Sequence, residues 1–266
     1  MTPVQISAAA QALFDADRDG TQIGLLSRTY PDMTMNDAYA IQKALIQAKM
    51  AAGRRRIGWK IGLTSRAMQQ ALGITTPDSG VLLDDMLYET GSRVAGGRFI
   101  QPRVEAEIGF VMGASLAGAD CTRADVLAAT AHVAPALEIL DTRVVRADPE
   151  SGQARIITDT ISDNAANAGL VLGAERHTID AHDLRWVGAI VSRDGTVEET
   201  GLGAGILNDP VTSVLWLARR MADYGQTIDA GDIVLAGSFI RPIEAPPGSD
   251  IHADFGPFGS VQISFD

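Results

Sequence analysis

Two glutamates spaced two apart, Glu105 and Glu107, and a third, Glu138, set in an apolar run, have the types and spacing to do chemistry in this 266-residue chain. In Val104-Glu105-Ala106-Glu107-Ile108 apolar and acidic residues alternate, and successive side chains of a strand point to opposite faces. Both carboxylates therefore share one face. At roughly 6 to 7 Å between i and i+2 positions, two anions turned toward an interior repel unless a cation sits between them. Glu138 lies between Leu137 and Ile139 in PALEIL, where a lone carboxylate is costly. Three oxygen donors without His or Cys suit a hard divalent cation, magnesium or manganese, that keeps positions open for water or substrate. The opposing reading makes Glu105 and Glu107 a solvated face, with Glu138 paired to Arg143 or Arg103. Spacing alone leaves both open.

Lys60 sits in GWKIG, between Trp59 and Ile61 and bracketed by glycines. Confinement there would lower an ammonium pKa toward the range useful for acid/base work, whereas a lone lysine ordinarily snorkels to solvent. Asp78, in Pro-Asp-Ser-Gly, has the composition of a turn. Other chemistries lack their motifs: there is no P-loop, GxSxG elbow or HExxH, and His132, His177, His182 and His252 form no metal pair in sequence. Gly201, Gly203 and Gly205 imitate a dinucleotide fingerprint, but Ile206 stands in the third glycine's place.

The elements that must position these residues are legible from periodicity. Residues 4–16 and 36–52 have helical apolar spacing, the second starting at a Thr34–Asp37 capping box and stopping at Gly53. IGWKIGLTS (57–65) reads as a short buried strand, SRAMQQALG (65–73) as a helical turn and TTPDSG (75–80) as a loop. From about residue 98 the period becomes two. FIQPRVEAEIGFVMG and APALEILDTR read as strands, separated by a helix, TRADVLAATAHV, capped by Thr122 with Asp125. RWVGAIVSRDGTVEETG is a hairpin turned at Asp194-Gly195, and PVTSVLWLARRMA is a helix with Asp209 as N-cap and Pro210 at its first position. DIVLAGSFIRP and HADFGPFGSVQISF return to strands. The pattern is α+β, a helical part over 1–75 that carries Lys60, then a β-rich core over 76–266, in one continuous unit without βαβ alternation.

Composition excludes several partners. With 22 Lys and Arg against 33 Asp and Glu, the formal charge is -11, and the chain lacks the basic footprint on which nucleic-acid affinity rests. The basic cluster Arg54–Arg56 follows a helix end, where cations complement the macrodipole. No apolar run reaches the ~18 residues of a membrane span, and the one cysteine, Cys121, has no internal disulfide partner. A cytoplasmic protein without membrane or nucleic-acid partners is expected.

Taken together, GWKIGLTSRAMQQALGITTPDSGVLLDDM, PRVEAEIGFVM, PALEILDTR, DTISDNAANAGLVLG, ETG followed by NDPVTSVLWLA, and GDIVLAGSFIRP resemble the 2-keto-4-pentenoate hydratase family of the fumarylacetoacetate hydrolase superfamily. The resemblance runs from about residue 20 to the C-terminus, and DTISDNAANAG is similar to the branch acting on 2-oxohept-3-ene-1,7-dioate in homoprotocatechuate degradation. It implies a mixed β-roll core, a homo-oligomer built on pentamers (a pentamer or decamer), and a divalent metal, usually magnesium, on Glu105, Glu107 and Glu138. It also implies an acid/base role for Lys60, with Asp78 in the same pocket. One departure is Asp209, where many relatives have His; either caps a helix.

The implied reaction is a hydro-lyase step on a small unsaturated 2-oxo acid or diacid: chelation of the C1 carboxylate and C2 oxygen, proton transfer by Lys60, and water addition at C4 to give a 4-hydroxy-2-oxo acid. Arg143, Asn164 and Arg241 are the candidates for a distal carboxylate. Rival readings are a 4-oxalocrotonate-type decarboxylase, a 2-oxopent-4-enoate hydratase, and a silent metal-binding scaffold subunit. An acylpyruvate hydrolase would be expected to show an early water-activating His, which is absent.

Overall fold

The computed structural model describes residues 1–66, 69–70 and 74–266. Helix α1 (Pro3–Asp19) starts at a Thr2–Gln5 capping box with proline in its first turn and stops at left-handed Gly20. A single turn, α2 (Leu26–Thr29), leads to α3 (Met35–Ala51), whose Thr34–Asp37 reciprocal cap is the one expected. Leu13, Ile41 and Leu45 of α1 and α3 bury against Val144 and Ile161, making an apolar cluster separate from the main core. The helical turn expected over 65–73 falls largely outside the described residues.

The remaining elements are β1 (Arg56–Gly62), β2 (Asp78–Leu83), β3 (Leu87–Glu89), β4 (Ser92–Val94), β5 (Arg103–Met112), α4 (Arg123–Ala129), β6 (Thr130–Leu140), α5 (Ile157–Ser162), β7 (Asn167–Leu172), β8 (Gly188–Arg193), β9 (Thr196–Leu202), α6 (Pro210–Asp223), β10 (Ile233–Ser238), β11 (Ile243–Glu244), β12 (Asp250–Asp254) and β13 (Ser260–Phe265). They form two sheets. The larger runs β2-β1-β10-β5-β6-β7-β3, with β11 also on β5, and the smaller runs β4-β13-β12-β8-β9. Pairing is mainly antiparallel. The parallel pairs β1–β10, β3–β7 and β4–β13 each join strands distant in sequence, so no βαβ unit occurs among the described residues. Phe110, Leu137, Val191, Ile251 and Phe258 belong to the shared core of both sheets.

Two boundaries differ from expectation, both because sheet pairing overrides local composition. The helix expected through Val133 ends at Ala129, since Thr130 turns extended and opens β6 opposite Met112. The loop expected over 75–80 becomes strand at Asp78, which pairs with Gly62. Arg54, Arg55 and Arg56, which follow the end of α3, also pair, each at 3.1 Å, with Asp85, Asp84 and Asp232. The hairpin turn at Asp194 (φ 53°) and Gly195 (φ 79°) and the Asp209–Pro210 helix start follow the sequence. No helix among the described residues is long and apolar enough to cross a membrane.

Candidate active site

The site is built where β5, β6, β1 and β10 lie side by side. On β5, Val104, Ala106 and Ile108 are fully buried in the core, which turns Glu105 and Glu107 to the opposite face. Antiparallel register then sets Glu105 directly opposite Glu138 on β6. Like charges in that position destabilise a sheet unless a cation lies between them. One carboxylate oxygen from each of Glu105, Glu107 and Glu138 lies within 4.8 Å of the other two.

The hydrogen bonding of this trio is incomplete. Glu107 and Glu138 are wholly buried. The Gly237 amide donates to Glu107 Oε2 at 2.7 Å, and Asn167 Nδ2 donates to Glu138 Oε1 at 2.7 Å. Glu107 Oε1 and Glu138 Oε2 have no partner. Buried orphan acceptors are rare because each forfeits its hydration. Converging, oxygen-only and unpaired, these atoms fit a hard divalent cation. The solvated-face reading fails here, and so does pairing of Glu138 with Arg143 or Arg103.

The cation beside the trio is Lys60, whose Nζ lies 3.3 Å from Glu138 Oε1 with both side chains buried. The pKa direction expected for it needs correction. Burial alone would pull it down, but Glu138, Asp78, Glu105 and Glu107 together outweigh burial and hold Lys60 above its ordinary value. Lys60 is thus held as an ammonium. Asp78 enters the same space from β2: burial pushes its carboxyl up, against the pull of Lys60. The two approach because Gly62 lies between them, where a Cβ would fall on Asp78 Oδ1 and 3.0 Å from Lys60 Nζ.

Burial, with Glu138 beside it, raises the Glu105 carboxyl to about 8 against the pull of Lys60; burial also raises Glu107 well above the ordinary range. Between pH 4.5 and 8 the metal-free folded chain therefore holds protons that the unfolded chain has released, so its stability falls as pH rises. Metal ligation needs the deprotonated carboxylates and reverses this trend. In chelator the melting temperature should drop from pH 5 to 8, and the increment from added magnesium should be larger at pH 8. A melting temperature that climbs across that interval in chelator would contradict the buried-carboxyl account.

A cavity of about 410 Å³ opens onto the group, lined by Lys60, Asp78 and Glu105 and by Leu140, Arg155 and Ile240. Arg241 stands on its wall, mostly exposed and paired with Glu199. Two other expected residues are not in the wall. Arg143 is buried, with Nε 2.5 Å from Asp163 Oδ1 and Nη2 donating to the carbonyls of Asp163 and Asn167, because a desolvated guanidinium must find such partners. Asn164 clamps β2, accepting from the Val81 amide at 2.8 Å and donating to its carbonyl at 2.9 Å. Asn208 and Gly205 line an adjoining cleft that shares Thr64 and Ser65 with the cavity. Sequence reading missed Asn167, Gly237, Gly62 and Arg155. Gly62, Asn167 and Gly237 lay in motifs already singled out, whereas Arg155 lay outside them.

No family model matches the chain. A 2-oxo-hept-4-ene-1,7-dioate hydratase of Escherichia coli is 47% identical over 256 residues, covering 96% of both chains. A 2-keto-4-pentenoate hydratase of Paraburkholderia xenovorans (strain LB400) is 40% identical over 266 residues, all of this chain and 97% of the relative. Among solved structures, 4-oxalocrotonate decarboxylase from Pseudomonas putida G7, complexed with magnesium and adipate, has a TM-score of 0.93 at 32% identity over 100% of this chain and 99% of that one. Fumarylacetoacetate hydrolase from Exiguobacterium antarcticum, at 15% identity, has a TM-score of 0.58 over 79% of this chain and 75% of that one, a likeness of fold alone. Full-length identity to the hydratases, on a fumarylacetoacetate hydrolase fold with three converging glutamates, places the chain in the 2-keto-4-pentenoate hydratase family of carbon–oxygen lyases.

Proposed function

We propose that this protein hydrates an unsaturated 2-oxo diacid, 2-oxohept-3-ene-1,7-dioate, to 4-hydroxy-2-oxoheptane-1,7-dioate in homoprotocatechuate degradation. The relative's 4-ene and this 3-ene are protonation isomers of one 2-hydroxy-2,4-dienoate, which joins the two names. The observation that carries the reading is the buried acidic trio with two orphan oxygens, set against a lysine and a protonatable aspartate in one cavity. Glu105, Glu107 and Glu138 would hold the divalent ion, magnesium. When bound, that ion supplies a Lewis acid that polarises the 2-oxo group.

The chain's own groups then handle protons and position. The Lys60 ammonium protonates C5 of the dienol as the 2-hydroxyl gives up its proton, which returns to Lys60, so that the double bond comes into conjugation with the 2-oxo group. Asp78, held with a raised pKa beside Lys60, relays the proton or orients the water that adds at C4. Leu140 and Ile240 restrict bulk water over the reacting carbons. A cytoplasmic homo-oligomer built on pentamers completes the proposal.

The test supplies 2-hydroxyhepta-2,4-dienedioate and 2-hydroxypenta-2,4-dienoate with magnesium, follows the loss of dienol absorbance and weighs the products. A gain of one water is expected, abolished by chelator. Likeness to a solved decarboxylase gives a second reading, since the same polarised oxo group stabilises the enolate left by departing carbon dioxide. Carbon dioxide released from 4-oxalocrotonate without hydration of either dienoate would replace the first reading by the second.

A further inference from the structure

Four arginines, Arg103, Arg143, Arg146 and Arg155, lie close enough to repel one another, and three have carboxylate partners. Arg103 and Arg146 share Glu244, at 2.9 and 3.8 Å, and Arg143 is committed to Asp163. Arg155 differs. Among the described residues no carboxylate lies within 4.0 Å of it, and its side chain donates only to the neutral hydroxyl of Thr142. It is nevertheless half-buried and lines the same cavity as Lys60 and Glu105. Burial works against its charge; Asp163 and Asp159 offset this in part, while Arg143 and Arg103 add to it. A half-buried guanidinium without a counter-ion is costly, and its fork is shaped for a carboxylate.

Its position suits the far end of a substrate. Leu140 opposes Arg103 two residues along β6 from Glu138, and Thr142, which receives the Arg155 bond, follows two residues later. Four residues span at most about 14 Å of chain, a reach that an extended seven-carbon chain can bridge between ion and guanidinium. Ile156, Ile157 and Pro242 make that stretch apolar, which strengthens a charge pair formed there.

We infer that Arg155 receives the distal carboxylate of a dicarboxylic substrate and thereby sets the preference of the cavity for diacids over monoacids. The inference rests on the hydratase reading above. Arg241 lines the same cavity, but its guanidinium is mostly solvated and already paired with Glu199. Arg155 thus supplies what Arg143, Asn164 and Arg241 were expected to supply.

The experiment compares kcat/KM for 2-hydroxyhepta-2,4-dienedioate and 2-hydroxypenta-2,4-dienoate, with magnesium, in the wild type, Arg155→Gln, Arg155→Lys and Arg241→Gln. The glutamine can keep the bond to Thr142 without the charge. Arg155→Gln should lose about 10²-fold on the diacid, as expected for a desolvated charge pair, and change less than about threefold on the monoacid. Arg155→Lys, which keeps the charge but not the fork, should lose about tenfold on the diacid alone, and it carries the test should the neutral variant melt early. Equal losses on both substrates, an unchanged diacid rate, or a larger diacid loss in Arg241→Gln would overturn the assignment. Wild type that hydrates neither dienoate removes the hydratase reading itself; wild type that hydrates both, with a ratio that no Arg155 variant moves, removes only the role of Arg155.

Discussion

Glu138→Gln should leave a folded protein whose magnesium-dependent turnover is reduced at least about 10³-fold, because a bound cation contributes several kcal/mol of transition-state charge stabilisation and each 1.36 kcal/mol is tenfold. The substitution is nearly isosteric. Its amide oxygen can still accept from Asn167 Nδ2, so packing around β6 and β7 survives. What disappears is one of three converging carboxyl groups, two of them wholly buried. The metal-free variant should therefore be at least as stable as wild type near pH 8 and gain little from added magnesium. Calorimetric titration with magnesium, melts at pH 8 and the dienoate assay measure all three effects. Wild-type turnover, insensitive to chelator, would remove the trio from the chemistry.

Lys60→Met should behave in the opposite sense when metal is withheld. It removes the cation that lies 3.3 Å from Glu138 and leaves Asp78, Glu105, Glu107 and Glu138 uncompensated. Breaking a buried pair by deleting one partner costs about 3 to 5 kcal/mol, so the metal-free variant should melt well below wild type at pH 8. Magnesium should restore much of that stability without restoring turnover, which falls by about 10²- to 10⁴-fold for loss of a proton-transfer group. The two measurements separate charge balance from chemistry. Proton exchange at C3 and C5 of the substrate continuing at the wild-type rate would show that another group moves the proton.

Much of this site can be read from residue order, because strand periodicity is short-range information. Alternation in VEAEI assigns Glu105 and Glu107 to one face, and the apolar setting of Glu138 marks it as buried; both hold in the structure. The capping residues Thr34, Thr122 and Asp209 likewise declare their helices locally. Tertiary arrangement decides the rest. Pro-Asp-Ser-Gly has turn composition, yet pairing with β1 extends it and carries Asp78 to Lys60. The direction of the Lys60 shift depends on counting carboxylates from three other strands, which no local window contains. Arg143 and Arg155 look interchangeable in sequence. They part company because Asp163 folds back onto Arg143, while among the described residues no carboxylate pairs with Arg155.

Strand β1 lies between β2 and β10, and its partner register Lys60↔Leu235 ties together residues far apart in the chain. Without β10 no strand separates β1 from β5, so Lys60 is not held against Glu138. A folding intermediate that has not yet docked β10 should therefore bind magnesium weakly, because it also lacks the Gly237 amide that donates to Glu107.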